Sequence, residues 1–198
     1  ALPLLIRSTL WAADLAPSGP PLFAVEEVDD RRAAPVAAAM GPEGDLVTTR
    51  FARGCRCFAV WIDGGIAGYG WLSTGPEWIG ELQVEIEPGP GEGYIWNCAT
   101  VDEHRRKGIF RSLLVGMSEH ARAAGLKRLW VGSLAIPAEK AVAPSGFKPA
   151  LYCTSLTLGG LHLLRVERAT DGMLASEAVS RIKTQAGLHL RLSRSRRH

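Results

Sequence analysis

The sequence predicts an α/β (α+β) chain built on a single mixed, mostly antiparallel central sheet flanked by helices. Three features predict it. Two β-rich runs in "CFAVWIDGGIAGYGWLS" (57–73) are separated by Asp63-Gly64-Gly65, and glycine tolerates the positive φ that a tight hairpin turn needs. A second pair of runs, "LYCTSLTL" and "LHLLRVER", flanks Gly159-Gly160. Between the two pairs lies one helical stripe. Phe110, Leu113, Leu114, Met117 and Ala121 recur at i, i+3, i+4, i+7 and i+11, which is one apolar face at a period of 3.6.

The other elements fall in order around these. Residues 1–21 mix apolar residues with "PSGPP" and read as an irregular N-terminal arm. "LFAVEEV" (22–28) alternates weakly and reads as a strand. Residues 34–53 read as two helical pieces broken at "GPEG" (41–44), with Pro35 suited to a first helical turn. "WIGELQVEIE" (78–87) reads as a strand whose glutamates face water, and "YIWNCATV" (94–101) as another strand. Gly125 stops the long helix. "KRLWVGSL" (127–134) is a strand, "PAEKAVAP" (137–144) a short helix bounded by prolines, and 174–186 a last helix. The expected division is therefore an arm (1–21), a main domain (22–165), and a C-terminal helix with a basic tail (166–198).

The 198 residues are 46% hydrophobic, enough for one sizeable core. No run of about 18 apolar residues is present to span a membrane. The opening "ALPLLIRSTL" is too short, and too interrupted by Pro3 and Arg7, for a secretory signal. Cys55, Cys57, Cys98 and Cys153 form no CxxC pair and stand at no metal-ligand spacing from histidine. They read as free thiols of a cytoplasmic protein with no metal. The net charge of +3 is unevenly placed: Arg191, Arg194, Arg196 and Arg197 crowd the end, and the remainder holds 19 basic against 20 acidic residues. That balance does not support a basic surface built for nucleic acid.

The chemistry concentrates in "DEHRRKGIFRSLL" (102–114). Arg105, Arg106, Lys107 and Arg111 surround Gly108 where the long helix begins. A helix start is the positive end of its dipole, so cations there are ordinarily disfavoured. The same helix start offers unpaired N–H groups, and glycine allows close approach to the backbone. The arrangement becomes favourable when an anion sits among these groups. A P-loop is absent, because no GxxxxGK[ST] occurs. "GYGWLS" lacks the third glycine of a dinucleotide fingerprint and lies in a strand.

This segment resembles the acyl-CoA loop of the GNAT superfamily of N-acyltransferases. Arg105, Gly108, Leu113 and Leu114 match its pattern, "YIWNCATV" is similar to the strand that leads into it, and "SGF" (145–147) is similar to the family's GF element. "DGGIAGYGWL" resembles its second and third strands, so the likeness runs in order from about 22 to 165. It implies acetyl-CoA (acyl-CoA) as co-substrate and no metal, in a cleft where two strands splay. The backbone of Cys98, Ala99 and Thr100 would pair with pantetheine. The residues Arg105, Arg106, Lys107, Gly108, Ile109, Phe110 and Arg111 would hold the pyrophosphate. Phe110 stands where the family has a small residue, and the apolar stripe points it into the core.

The resemblance also implies direct transfer to an amine, small molecule or peptide, with no membrane partner, and leaves a homodimer open. The family's usual general acid, a tyrosine four residues before the GF glycine, is replaced by Val142, and Ala135 stands where asparagine is common. A base on the fourth strand would fall at Tyr94, and Glu81, ahead of Glu85 and Glu87, is the other catalytic candidate. The alternative is a non-catalytic acyl-CoA-binding or sensing module.

Overall fold

A computed structural model describes residues 3–134, 136–170 and 172–193, with the backbone only at 136–138. The elements run β1 (Leu4–Asp14), β2 (Glu26–Val28), α1 (Ala34–Met40), α2 (Val47–Ala52), β3 (Arg56–Ile62), β4 (Gly65–Ser73), β5 (Glu77–Ile79) and β6 (Val84–Ile86). They continue with β7 (Glu92–Thr100), α3 (Ile109–Ala123), β8 (Arg128–Ser133), α4 (Ile136–Val142), β9 (Lys148–Leu158), β10 (Leu161–Arg168), α5 (Met173–Arg181) and β11 (Gly187–Leu192). The fold is the expected one, a mostly antiparallel sheet flanked by helices. The chain forms two compact units, each discontinuous in sequence: residues 1–13, 75–90 and 130–198, and residues 14–74 and 91–129.

In the second unit the strands lie in the order β7-β4-β3-β2, with β4 antiparallel to both β3 and β7. The β3–β4 turn is Asp63-Gly64, both at positive φ (51° and 77°), the geometry that matches the right-handed twist of a hairpin. Alternation along β4 sends its side chains to two faces. Tyr69 and Trp71 enter a core with Val28, Val36, Met40, Val47 and Phe51, which α1 and α2 help to cover. Gly68 and Gly70 face α3. A Cβ on Gly68 would lie 2.6 Å from Ile109 Cγ2, and one on Gly70 2.6 Å from Cys98 Sγ and 3.0 Å from Met117 Sδ. The glycines of "GYG" therefore exist to let a helix lie close on a strand.

In the first unit the order is β11-β10-β9-β1-β8, with β9 antiparallel to β1 and β10, and β10 antiparallel to β11. Residues 4–14, expected in an irregular arm, are thus an eleven-residue strand whose residues 8–13 are all buried. The expected strand 78–87 is a hairpin instead. Gln83, at φ 51°, helps turn the chain between β5 and β6. That turn is anchored by the buried His162, whose Nε2 lies 2.9 Å from the Leu82 carbonyl oxygen, and by Ser155 Oγ, which donates to the Glu81 carbonyl (2.7 Å). The chain after α5 was expected to be a tail but forms β11, which exposes Leu188, Leu190 and Leu192. Arg194, Arg196 and Arg197 lie outside the described residues.

Among the described residues no helix is long and apolar enough to cross a membrane. None of the described His, Cys, Asp and Glu side chains cluster in threes to hold a metal.

Candidate functional site

The basic loop lies wholly within the second unit, between β7 and α3. After Val101 the chain makes one 3-10 turn, Asp102–His104, in which the N–H groups of His104 and Arg105 donate to the carbonyls of Val101 (2.9 Å) and Asp102 (3.2 Å). Arg106 and Gly108 then take positive φ values of 63° and 86°. Left-handed residues interspersed in a tight turn make backbone N–H groups converge, as in anion-binding nests. A non-glycine residue there is strained by about 1 kcal/mol or more, and such strain gathers at ligand sites.

Helix α3 starts at Ile109 with no side chain capping it. The Gly108 carbonyl accepts from the Ser112 N–H at 3.0 Å. The N–H groups of Ile109, Phe110 and Arg111 belong to the first turn, which a helix cannot satisfy internally. Among the described residues, the N–H groups of Arg106, Lys107 and Gly108 have no backbone acceptor either. Six consecutive donors are therefore gathered at the positive end of a fifteen-residue helix.

The cations divide. Arg105 pairs with Asp102 at 2.6 Å, both well exposed, an arrangement of little energetic weight. Lys107 Nζ lies 3.3 Å from His104 Nδ1. Arg106 and Arg111 are exposed and have no ion-pair partner among the described residues. Two cations are thus free, and the other two have partners only in the preceding 3-10 turn.

The apolar stripe begins one residue earlier than its spacing suggests. Ile109, Leu113, Leu114, Met117 and Ala121 are buried, whereas Phe110 is half-buried. Ile109 takes the innermost place because its side chain lies over Gly68. Its contribution to an anion site is limited to its N–H.

β7 carries the other expected contacts. Thr100 pairs with Gly68 and Ala99 with Tyr69, but the next pair in register is Trp96 with Trp71. Asn97 and Cys98 together oppose the single Gly70, which makes a β-bulge. The Cys98 thiol lies over Gly70. Burial pushes it up to about 12, and burial likewise pushes the Cys57 and Cys153 thiols up to about 12. At pH 8 such a group is about one part in ten thousand thiolate. Iodoacetamide at pH 8 is therefore expected to leave Cys57, Cys98 and Cys153 unlabelled in the native protein and to label them after denaturation. Cys98 is half-buried, and its rapid native labelling would contradict the raised thiol pKa.

The catalytic candidates fall in different units. Glu81 is exposed in the β5–β6 turn and belongs to the first unit. Glu85 is half-buried on β6, and Glu87 pairs with Lys183. Tyr94 is buried on β7 opposite Ser73. Six residues separate it from Thr100, about 20 Å of strand. Val142 is fully buried and offers no acid, and Ala135 lies outside the described residues.

A charge constellation that sequence spacing did not reveal stands at the bulge. Arg50 Nη1 donates to Asn97 Oδ1 (2.9 Å), and Glu43 Oε2 accepts from Arg50 Nη2 (2.9 Å) and Asn97 Nδ2 (3.1 Å). In "VTTRF" Arg50 reads as an ordinary helix cation. Nothing in the order of residues ties it to Asn97, 47 positions away.

A mostly antiparallel sheet flanked by helices, with a bulged strand leading into an uncapped helix start, places the chain among α/β proteins. The chain belongs to the acetyltransferase (GNAT) family, whose profile it matches over residues 23–143. No curated protein matches it by sequence. It is similar in fold to a GNAT-family acetyltransferase from Colwellia psychrerythraea at 16% identity and TM-score 0.55, covering 77% of this chain and 55% of that one. A GCN5-related N-acetyltransferase from Kribbella flavida gives 17% identity and TM-score 0.55, covering 80% and 61%. Another from Sphaerobacter thermophilus gives 16% identity and TM-score 0.54, covering 86% and 54%. The chain thus spans less than two thirds of the length of these proteins.

Proposed function

We propose that this chain is an N-acetyltransferase that moves the acetyl group of acetyl-CoA to an amine by direct attack. The observation that carries the reading is the uncapped start of α3, with six gathered N–H donors and unpaired Arg106 and Arg111. Backbone donors from Arg106 to Arg111 would hold the pyrophosphate, with Lys107 and Arg105 adding charge around it. The backbone of Cys98, Ala99 and Thr100 on β7 would pair with the pantetheine amides.

In the transfer, the amine lone pair attacks the thioester carbonyl. A C–N bond forms and the C–S bond breaks. A proton leaves the nitrogen, and the departing CoA thiolate takes one up. A backbone N–H steadies the oxyanion in between. With Val142 in place of the family's tyrosine donor, the proton would come from water, and the same replacement supports the second reading, a module that binds acyl-CoA without turning it over.

Two measurements separate these. Calorimetric titration with acetyl-CoA is expected to show saturable binding, and its absence at high micromolar ligand would remove both readings. Release of free CoA thiol in the presence of amines, above the rate without them, distinguishes the enzyme from the binding module.

A further inference from the structure

Arg50 is 5% exposed, and a guanidinium avoids such burial unless every part of it is held. Here it is. Its planar group lies over the rings of Trp96 (4.5 Å to the centroid) and Trp71 (5.1 Å). Its edge donates to Asn97 Oδ1 and to Glu43 Oε2. Glu43 closes the triangle by accepting from the Asn97 amide nitrogen. Trp96 is fixed in turn by donating its indole N–H to Ser73 Oγ at 3.0 Å.

The residue so held is itself unusual. Asn97 has φ 46° and is the extra residue of the β7 bulge. Asparagine tolerates this conformation better than other side chains, yet it remains strained and persists only where its surroundings fix it. Both ends of its amide are used by the triangle, and the neighbouring Trp96 lies on the same guanidinium. Loss of the bulge would slip the register by one and turn the following residues to the opposite face, and those residues are Cys98, Ala99 and Thr100.

We propose that Arg50 is a positioning residue: by clamping Asn97 it fixes the β7 bulge, and so the direction in which Cys98, Ala99 and Thr100 present their backbone to acyl-CoA. The proposal rests on the acetyl-CoA reading above. A purely structural Arg50, one that only ties α2 to the sheet, would lower the melting temperature without a selective loss of ligand binding.

The test is a double-mutant cycle read as the acetyl-CoA dissociation constant, with the thermal melt of each protein as control. Arg50→Met, which keeps the apolar stem, is expected to weaken binding about tenfold at temperatures where it is fully folded. Asn97→Gly removes the side chain but favours the left-handed conformation by itself. In that background Arg50→Met is expected to change affinity by less than about twofold, because there is no amide left to clamp. Unchanged affinity in Arg50→Met, or an equal loss in both backgrounds, overturns the proposal. If Arg50→Met does not fold, Asn97→Ala against Asn97→Gly decides: weaker binding by alanine supports the clamp, and equal binding overturns it. A wild-type protein that binds no acetyl-CoA removes the functional reading itself, whereas binding by wild type and Arg50→Met alike removes only this inference.

Discussion

Replacing Arg106 and Lys107 together by glutamate is expected to weaken acetyl-CoA binding by about a hundredfold. Each reversal changes the local charge by two units, so the pyrophosphate loses two attractions and gains two repulsions. Two unit charges about 4 Å apart in water interact by about 1 kcal/mol, and salt reduces this further at longer range. A total near 3 kcal/mol follows, or about two powers of ten in affinity. The fold is expected to survive. Both side chains are exposed, Arg106 has no ion-pair partner among the described residues, and Lys107 touches only His104. Glutamate is no more strained than arginine at the positive φ of residue 106. Calorimetry at two salt concentrations checks the argument. Wild-type affinity should fall as salt rises, and the variant's should not. A variant that binds like wild type and melts like wild type would show that the loop is only a solvated surface.

The loop was legible because its signal is local: cations, glycine and the start of a helical stripe lie within ten residues. The β3–β4 turn was legible for the same reason, since Asp63-Gly64 states its own backbone conformation. The stripe was misplaced by one residue because spacing alone fits Phe110 as well as Ile109. What selects Ile109 is the missing side chain of Gly68, forty-one positions earlier on another strand.

β1 was missed because its residues 8–13 are buried without alternation. The period-2 signal of a half-exposed strand is then lost, and only Pro3 and the following "PSGPP" remain to be read. β11 has the opposite difficulty. Its leucines alternate, but all three face solvent, and the arginines after them suggested a tail. The Arg50–Asn97–Glu43 triangle had no sequence signal at all. Its members come from α2, the bulge of β7 and the 3-10 segment after α1, and only the folded chain brings them together.

Gly68→Val is expected to destabilise the protein by about 3 kcal/mol, lowering the melting temperature by roughly 6–12 °C. A Cβ at this position would lie 2.6 Å from Ile109 Cγ2, 2.9 Å from the Ala99 carbonyl oxygen and 3.3 Å from Leu113 Cδ1. The isoleucine and leucine side chains can turn aside at moderate cost. The carbonyl cannot, because Ala99 is held in register with Tyr69. The strain must therefore be relieved by lifting the first turn of α3 from the sheet. That turn supplies the N–H groups of Ile109, Phe110 and Arg111, so the same substitution should weaken acetyl-CoA binding, although residue 68 would touch no ligand. Gly75→Val is the control. A Cβ there meets nothing within 4 Å, and a change of less than about 0.5 kcal/mol is expected. Differential scanning calorimetry and acetyl-CoA titration of both variants read the two effects separately. A Gly68→Val protein that melts with wild type would mean that α3 is not seated on β4 as described. One that melts lower yet binds acetyl-CoA normally would separate the seating of the helix from the anion site at its start.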